Sequence, residues 1–312
     1  MTGFAYHDDY LKHDTGWMHP ETRKRLTAVV EHLRKTELWK DLQHIAPGPI
    51  NRQLLATVHS EEYVEFIDQA CRSGVEVLDQ GDTHVCRDSY QVALRAAGGV
   101  ARAVDEVVAG KLSQVFCAVR PPGHHAGRDV AMGFCLFNNV AVGARYAQQK
   151  YGLERVAIVD WDVHHGNGTQ HIFYEDPTVF YISLHQYPFY PGTGGREERG
   201  TGRGEGYTMN VPMKAGSGER DYLQAFEEEI LPALERFHPE LILISAGFDA
   251  HRDDPLANIN LTEQSFSTLT RMIGEVAARQ AGGRIVSVLE GGYDLQALAR
   301  SVEAHLRVFV KN

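Results

Sequence analysis

Two carboxylates and two imidazoles fall within six residues of the stretch DWDVHHGNG, Asp160 to Gly168, which follows the apolar run RVAIV. Asp162 and His164 are two residues apart in an extended or turning segment, so their side chains can point the same way. A further aspartate from another strand end would complete a three-ligand metal set and leave a coordination position for water, as catalysis at a metal requires. Asp249, in SAGFDAH, is the candidate for that third ligand. Capping of a helix or turn is the competing use of either aspartate alone. Three such groups following strand-like runs favour the metal. His124 and His125 lie in RPPGHHAG, where Pro-Pro-Gly fixes a sharp exit from a strand. Asp160 could hold one of these imidazoles as a carboxylate partner, fixing its tautomer and raising its basicity. Asn167 could orient the other as a neutral partner and leave it less basic. Tyr293, in LEGGYD, follows two glycines that allow a tight turn and close approach to a ligand. Its phenol could donate to a developing oxyanion; a packed core tyrosine is the competing reading.

Other segments carry less chemistry. GTGRGEG, Gly200 to Gly206, lacks the preceding strand and following helix of a dinucleotide site and reads as a loop. No GxSxG nucleophile elbow is present. Cys135, in GFC, has apolar neighbours and reads as a packed thiol.

The elements that must position these groups follow from the apolar pattern. Short runs at 115–125, 155–168, 178–186, 240–251 and 284–294 have the β-branched and aromatic content of buried strands in their bodies. Helical patterns cover Asp88 to Val108, Asn138 to Lys150, Glu219 to Phe237, Thr262 to Ala281 and Leu295 to Val308, with Thr262 as a helix cap. Strands alternating with helices predict an α/β fold: a central, mostly parallel sheet flanked by helices on both faces. Ligands bind beyond the carboxyl ends of such strands. Four of the five runs carry ionisable residues there: His124 and His125, Asp160 to His165, Asp249, and Tyr293. One site assembled from four distant segments is therefore expected.

Composition bounds the alternatives. The 312 residues fit one large domain, 1–312, without a linker or repeat. Hydrophobic residues at 43% and charged residues at 23% are ordinary for a globular protein with a sizeable core. The net charge of −10 and the absence of a basic cluster argue against direct nucleic-acid binding. No apolar run approaches the roughly 20 residues of a membrane span, and the first residues lack a signal-peptide pattern. The four cysteines form no CxxC, which argues against a cysteine-held zinc and a disulfide framework. A cytoplasmic protein is expected.

Taken together, RPPGHHA (120–126), GFCLFNNV (133–140), DWDVHHGNGTQ (160–170), YISLHQ (181–186), FYPGTG (189–194), NVPM (210–213), SAGFDAHRDDPL (245–256) and EGGYD (290–294) resemble the zinc-dependent histone deacetylase family, of arginase/deacetylase fold. HDTGWMHPE near the start looks like the family's first loop. RPPGHHA and Asn167, where class I enzymes carry Asp, look like class II, a pattern shared with bacterial histone deacetylase-like amidohydrolases and acetylpolyamine amidohydrolases. The resemblance implies Asp162, His164 and Asp249 as zinc ligands, His124 and His125 as the histidine pair with Asp160 and Asn167 as orienting partners, and Tyr293 as the oxyanion donor. It places Phe134 and Tyr190 on the walls of an acyl-lysine tunnel, where Tyr190 departs from the usual Phe, and the Gly133 carbonyl near the substrate amide. It also implies potassium near the zinc, held by Asp160, Asp162, His164, Ser183 and Leu184, partly through backbone oxygens. A second potassium would involve Phe173, Asp176, Val179 and Tyr207.

The implied reaction is hydrolysis of an N-acyl amide by metal-activated water, on acyl-lysine in proteins or peptides. The oxygen-rich ligand set leaves iron(II) or cobalt(II) open as occupants. Hydrolysis of small acylated amines such as acetylpolyamines is the alternative. Leu256, in RDDPL, stands against a dedicated polyamine enzyme, because some polyamine-selective relatives place Glu at this gate. A catalytically silent acyl-lysine-binding module is disfavoured by Tyr293, and an arginase-like binuclear manganese site lacks carboxylates around the histidines. The oligomeric state is not encoded in any motif.

Overall fold

The computed structural model describes residues 1–79 and 81–311. Its strands are β1 (Thr2–Ala5), β2 (Leu42–Ile45), β3 (Gln114–Cys117), β4 (Val156–Asp160), β5 (Val179–Gln186), β6 (Thr208–Met213), β7 (Leu241–Ala246) and β8 (Ile285–Leu289). They form an eight-stranded sheet in the order β2-β1-β3-β8-β7-β4-β5-β6. Every pairing is parallel. The five apolar runs of the sequence are β3, β4, β5, β7 and β8, which are the contiguous centre of the sheet. Every residue of these five strands is buried, which is why they read as unbroken apolar runs and not as alternation. The outer strands β1, β2 and β6 left no such signal. The first two have four residues each, and unlike the equally short β3, whose apolar run continues through Ala118 and Val119, they are broken by Gly3 or by Gln43 and His44.

Helices α1 (Lys24–Arg34), α2 (Leu38–Asp41), α3 (Arg52–Leu55), α4 (Glu61–Ser73), α5 (Ser89–Val108), α6 (Asn139–Tyr151), α7 (Asn167–Phe173), α8 (Glu219–Ala225), α9 (Leu231–Phe237), α10 (Glu263–Gln280) and α11 (Leu295–Lys311) fill the connections. One layer joins α1, α9, α10 and α11; the other is built on α5 and α6 with α3 and α4. The helical pattern from Glu219 to Phe237 is interrupted by a π turn, Phe226–Ile230, between α8 and α9. Pro232 lies in the first turn of α9; it has no N–H for the ladder, and a wider turn before it absorbs the missing bond. Thr262 caps α10 in a reciprocal box: Ser265 N–H donates to its hydroxyl at 3.4 Å, and Thr262 N–H donates to the Ser265 hydroxyl at 3.1 Å.

The topology explains why one site can gather residues from four segments. The chain leaves β3 for β4 across two places that β7 and β8 later fill. Their parallel register then brings the carboxyl ends of β3, β8, β7 and β4 to the same edge.

Packing of α5 against the segment 47–50 depends on a missing side chain. Ile50 N–H donates to the Leu94 carbonyl at 2.9 Å. A Cβ at Gly98 would lie 2.1 Å from the Gly48 carbonyl oxygen and 2.7 Å from Ile50 N. Both are backbone atoms that cannot swing away. Gly98→Ala gains about 1 kcal/mol of helix propensity, yet the overpacking should still lower stability by about 1–3 kcal/mol. The readout is a lower urea midpoint; an unchanged or higher midpoint would refute the close approach.

Candidate active site

β4 ends at Asp160, and the next four residues turn across the carboxyl edge of the sheet. Trp161 N–H donates to the Ser245 carbonyl at 3.2 Å and Gln186 N–H to the Val163 carbonyl at 2.8 Å, tying the turn to the ends of β7 and β5. The Asp162 carboxylate accepts from Gly291 N–H at 2.7 Å and His164 N–H at 2.9 Å. Asp249, three residues beyond β7, accepts from Val163 N–H at 2.9 Å. One ligand atom from each of Asp162, His164 and Asp249 lies within 4.8 Å of the others. His164 Nδ1 is 3.1 Å from Asp162 Oδ1 and 3.2 Å from Asp249 Oδ2.

These three residues fit a small divalent cation. Asp249 Oδ2 is buried without a hydrogen-bond partner. A Cβ at Gly291 would sit 1.9 Å from that oxygen and 2.6 Å from Asp162 Oδ2, so glycine leaves open the space between the two carboxylates. The donor set of two carboxylates and one imidazole suits zinc or a neighbouring first-row metal. The protonation pattern shows what a cation would relieve. Burial works against charge on His164, but the Asp162 and Asp249 carboxylates outweigh it and raise its pKa to about 10. Burial and then the Asp162 charge push Asp249 upward. A metal bound between these groups would favour their deprotonated forms.

The histidine pair follows β3. Gly123 and His124 N–H groups donate to Glu290 Oε2 at 2.7 and 3.2 Å, and Ser245 Oγ donates to Glu290 Oε1 at 3.1 Å. Glu290 is fully buried, and burial raises its pKa to about 7. His124 Nδ1 is 3.0 Å from Asp160 Oδ2, which also accepts from the Tyr181 hydroxyl at 3.0 Å. Burial opposes charge on His124, yet Asp162 and Asp160 raise its pKa to about 10. His125 Nδ1 donates to Asn167 Oδ1 at 2.7 Å. Burial, followed by the positive neighbours His124 and His164, holds His125 well below its ordinary range. Two adjacent imidazoles thus carry opposite tendencies: neighbouring carboxylates outweigh burial at His124, while burial and positive neighbours prevail at His125.

Tyr293 is placed by the turn after β8. Its N–H donates to Asp254 Oδ2 at 2.6 Å, while Asp254 Oδ1 accepts from Leu256 N–H at 3.0 Å. Arg25, buried on α1, lies 4.9 Å over the Tyr293 ring. Its guanidinium donates to the Gly292 carbonyl at 2.7 Å, to the Glu290 carbonyl and, at 3.0 Å, to Glu21 Oε1. Arg120 also pairs with Glu21. Despite burial, Arg120 and Arg25 hold Glu21 well below the usual carboxylate range.

A cavity of 220 Å³ opens beside these groups, lined by Asp82, His125, Gly133, Phe134, His164, Phe189, Tyr190, Leu256 and Tyr293. Phe134 packs edge-on to Tyr293 at 5.9 Å, and Tyr190 packs edge-on to His125 at 5.2 Å. Gly133 has φ +57° and a Cβ there would meet His125 Cδ2 at 2.4 Å. Phe134 itself has φ +69°, a left-handed conformation that costs a non-glycine residue energy and is held by its surroundings. Its N–H donates to the Thr83 hydroxyl at 3.2 Å.

The structure therefore brings Asp160, Asp162, His164, His124, His125, Asn167, Asp249, Tyr293, Gly133, Phe134, Tyr190 and Leu256 to one place. Ser183 pairs in register with Asp160 across β4 and β5, with Leu184 next to it. Phe173, Asp176, Val179 and Tyr207 lie apart from the cavity. There the Asp176 carboxylate is engaged by Arg145 at 2.6 Å, and Arg145 also covers the Phe173 ring. Sequence reading missed Glu21, Arg25, Asp82, Arg120, Phe189, Asp254 and Glu290. Asp254 and Glu290 sit inside the quoted motifs RDDPL and EGGYD, and the acidity of Glu290 directly after the apolar run IVSVL was a usable signal. Arg25 had no signal beyond its four-residue spacing from Glu21, because its other hydrogen-bond partners are backbone carbonyls from the other end of the chain.

A central parallel sheet flanked by helices, with this cluster at its carboxyl edge, defines the arginase/deacetylase class of fold. The chain belongs to the histone deacetylase family: the histone deacetylase domain matches residues 19–309. It is 41% identical over 298 residues to a probable deacetylase of Archaeoglobus fulgidus, covering 95% of this chain and 82% of the relative. It is 40% identical over 322 residues to the mouse polyamine deacetylase HDAC10, covering 96% of this chain and 47% of that relative. The crystal structure of the HDA15 HD domain superposes with a TM-score of 0.95 at 39% identity, covering 100% of this chain and 89% of that one. Among the described residues, all four cysteines are free and no helix is long and apolar enough to cross a membrane.

Asp162→Ala, His164→Ala and Asp249→Ala should each remove most of the divalent metal from the purified protein, with the circular-dichroism spectrum largely kept. Elemental analysis checks this; near-stoichiometric metal in any one variant removes that residue from the ligand set.

Proposed function

We propose that this chain is a zinc-dependent deacetylase that hydrolyses the side-chain amide of acyl-lysine in proteins or peptides. The observation that carries the reading is the narrow cavity itself. Its walls, Phe134, Phe189 and Tyr190, suit a linear apolar stem, while His125, His164 and Tyr293 line the same 220 Å³. Asp162, His164 and Asp249 would hold the metal, which when bound supplies Lewis-acid polarisation of the acyl carbonyl and a more acidic water. Potassium held near Asp160, Ser183 and Leu184, and a second ion near Phe173 and Tyr207, belong to the same reading.

The chain's own groups divide the proton work. His125 is engaged through Nδ1 by Asn167, which leaves Nε2 as the nitrogen that takes the proton of the attacking water and returns it to the leaving amine. Its depressed basicity keeps it unprotonated and ready to accept. His124, paired with Asp160 at 3.0 Å, would stabilise negative charge that develops beside it. The Tyr293 hydroxyl remains protonated, its pKa raised well above the ordinary value first by burial. It can therefore donate to the tetrahedral oxyanion. Gly133 lines the cavity, and its carbonyl would accept from the substrate amide N–H.

Hydrolysis of small acylated amines is the second reading. The Asp82 carboxylate on the cavity wall could attract a distant ammonium, and the mouse relative is named a polyamine deacetylase. Half-buried Leu256 on the same wall offers no such attraction.

Tyr293→Phe should keep metal content and KM while kcat falls by about 10²–10³; a variant within a few-fold of wild-type kcat eliminates the donor role. Acetyl-lysine peptides should exceed N8-acetylspermidine in kcat/KM, and Leu256→Glu should move that ratio several-fold, about 1 kcal/mol, toward the polyamine, less at high salt. A wild type that already prefers the acetylpolyamine makes the second reading the correct one.

A further inference from the structure

The loop between a 3-10 turn, Asp8–Lys12, and α1 carries two large apolar side chains that are exposed. Trp17 is 93% exposed and Met18 is 84% exposed. Both are followed by His19, which is fixed at the mouth of the cavity. His19 packs edge-on to Phe134 at 4.6 Å, lies 4.9 Å from the His84 ring, and bonds the Asp82 carbonyl at 2.9 Å. Trp17 is thus tethered two residues from the cavity wall. The facing loop is acidic. Asp79 accepts from the N–H groups of Gly81, Asp82 and Thr83 and from the Thr83 hydroxyl. These bonds outweigh its partial burial and hold it well below the usual carboxylate range. Asp82 adds a second carboxylate on the cavity wall. The guanidinium of Arg23, just before α1, is engaged by Asp14 at 2.7 Å.

An exposed indole two residues from His19, whose ring bonds the Asp82 carbonyl, together with two carboxylates that form no salt bridge among the described residues, has the composition of a cation-recognition surface: a ring face for a guanidinium or ammonium, and negative charge to draw it in. We propose that Trp17 is a specificity-determining residue, and that it receives a basic side chain flanking the acyl-lysine of a peptide substrate. This rests on the acyl-lysine reading above and deepens it. A small acylated amine, or an acyl-lysine without flanks, does not reach Trp17, so the contact acts on flanking sequence and leaves the chemistry alone. Trp17 touches none of the metal, histidine or tyrosine groups, so its removal spares turnover.

The test compares kcat/KM of wild type, Trp17→Ala and Trp17→Phe on four acetyl-lysine substrates: a minimal Nα-capped acetyl-lysine amide, and peptides whose residue next to acetyl-lysine is Arg, Ala or Glu. Wild type should prefer the Arg peptide over the Ala peptide by about three- to fivefold, the range of an exposed cation–π contact, and should disfavour the Glu peptide. Trp17→Ala should erase the Arg-over-Ala preference and leave the minimal substrate within twofold, while Trp17→Phe should retain part of it. Equal rates for Arg and Ala peptides in wild type, or an undiminished preference in Trp17→Ala, with the minimal substrate still hydrolysed, would overturn the inference alone. Wild type that hydrolyses no acetyl-lysine substrate, minimal or peptide, would overturn the acyl-lysine reading and the inference with it.

Discussion

Two buried carboxylates facing one another set the terms for the rest of this molecule. Asp162 and Asp249 are each almost wholly inaccessible, and their facing oxygens lie within 4.8 Å of one another and of the His164 ring. At an effective dielectric of about 20, two full charges at that distance repel by about 3 kcal/mol, before desolvation is counted. Such a pair persists only where positive charge is supplied. The chain does so with backbone N–H groups from Val163, His164 and Gly291 and with the imidazoles of His124 and His164. A metal would complete what these donors begin. The same constraint makes glycine necessary at 291, where any side chain would enter the space between the oxygens.

Holding that cluster requires loops from opposite ends of the chain to act as one body. The buried network Glu21, Arg25 and Arg120 does this through the first loop, α1 and the turn after β3. Arg25 extends it to the carbonyls of Glu290 and Gly292, and so to the backbone that carries Tyr293. Replacing such an ion cluster by well-packed apolar residues can be neutral, but breaking it by removing one member leaves buried charge uncompensated and typically costs about 3–5 kcal/mol. Its value here is positional: it fixes where the phenol points without touching the reacting atoms.

The mouth of the cavity is assembled differently from its base. At the base, charge is buried, paired and rigidly oriented. At the mouth, Phe134 holds an unfavourable backbone conformation between His19 and Tyr293, and the carboxylates of Asp79 and Asp82 lie within reach of solvent. Chemistry and selection are thereby separated. Substitutions at the rim can change which amide enters without disturbing the proton work of His125 and Tyr293.

The sequence by itself determined the α/β class, the five central strands, and the types of residue at their carboxyl ends. Buried parallel strands must be apolar throughout, and ionisable groups beyond them must be solvated or paired, so both leave a local pattern. Asp160, Asp162 and His164 were legible for that reason, being packed into one strand end. Only the tertiary structure decided that Asp249 meets them, that Asn167 reaches the His125 ring, and that Arg25 stands over Tyr293. Those partnerships join residues far apart along the chain, and their energy comes from desolvation and distance, which no local pattern encodes. The short strands β1 and β2 escaped for a related physical reason. Four residues bury a strand when neighbours supply the hydrogen bonds, and pairing with a distant segment, not a run of its own, is what makes each of them a strand.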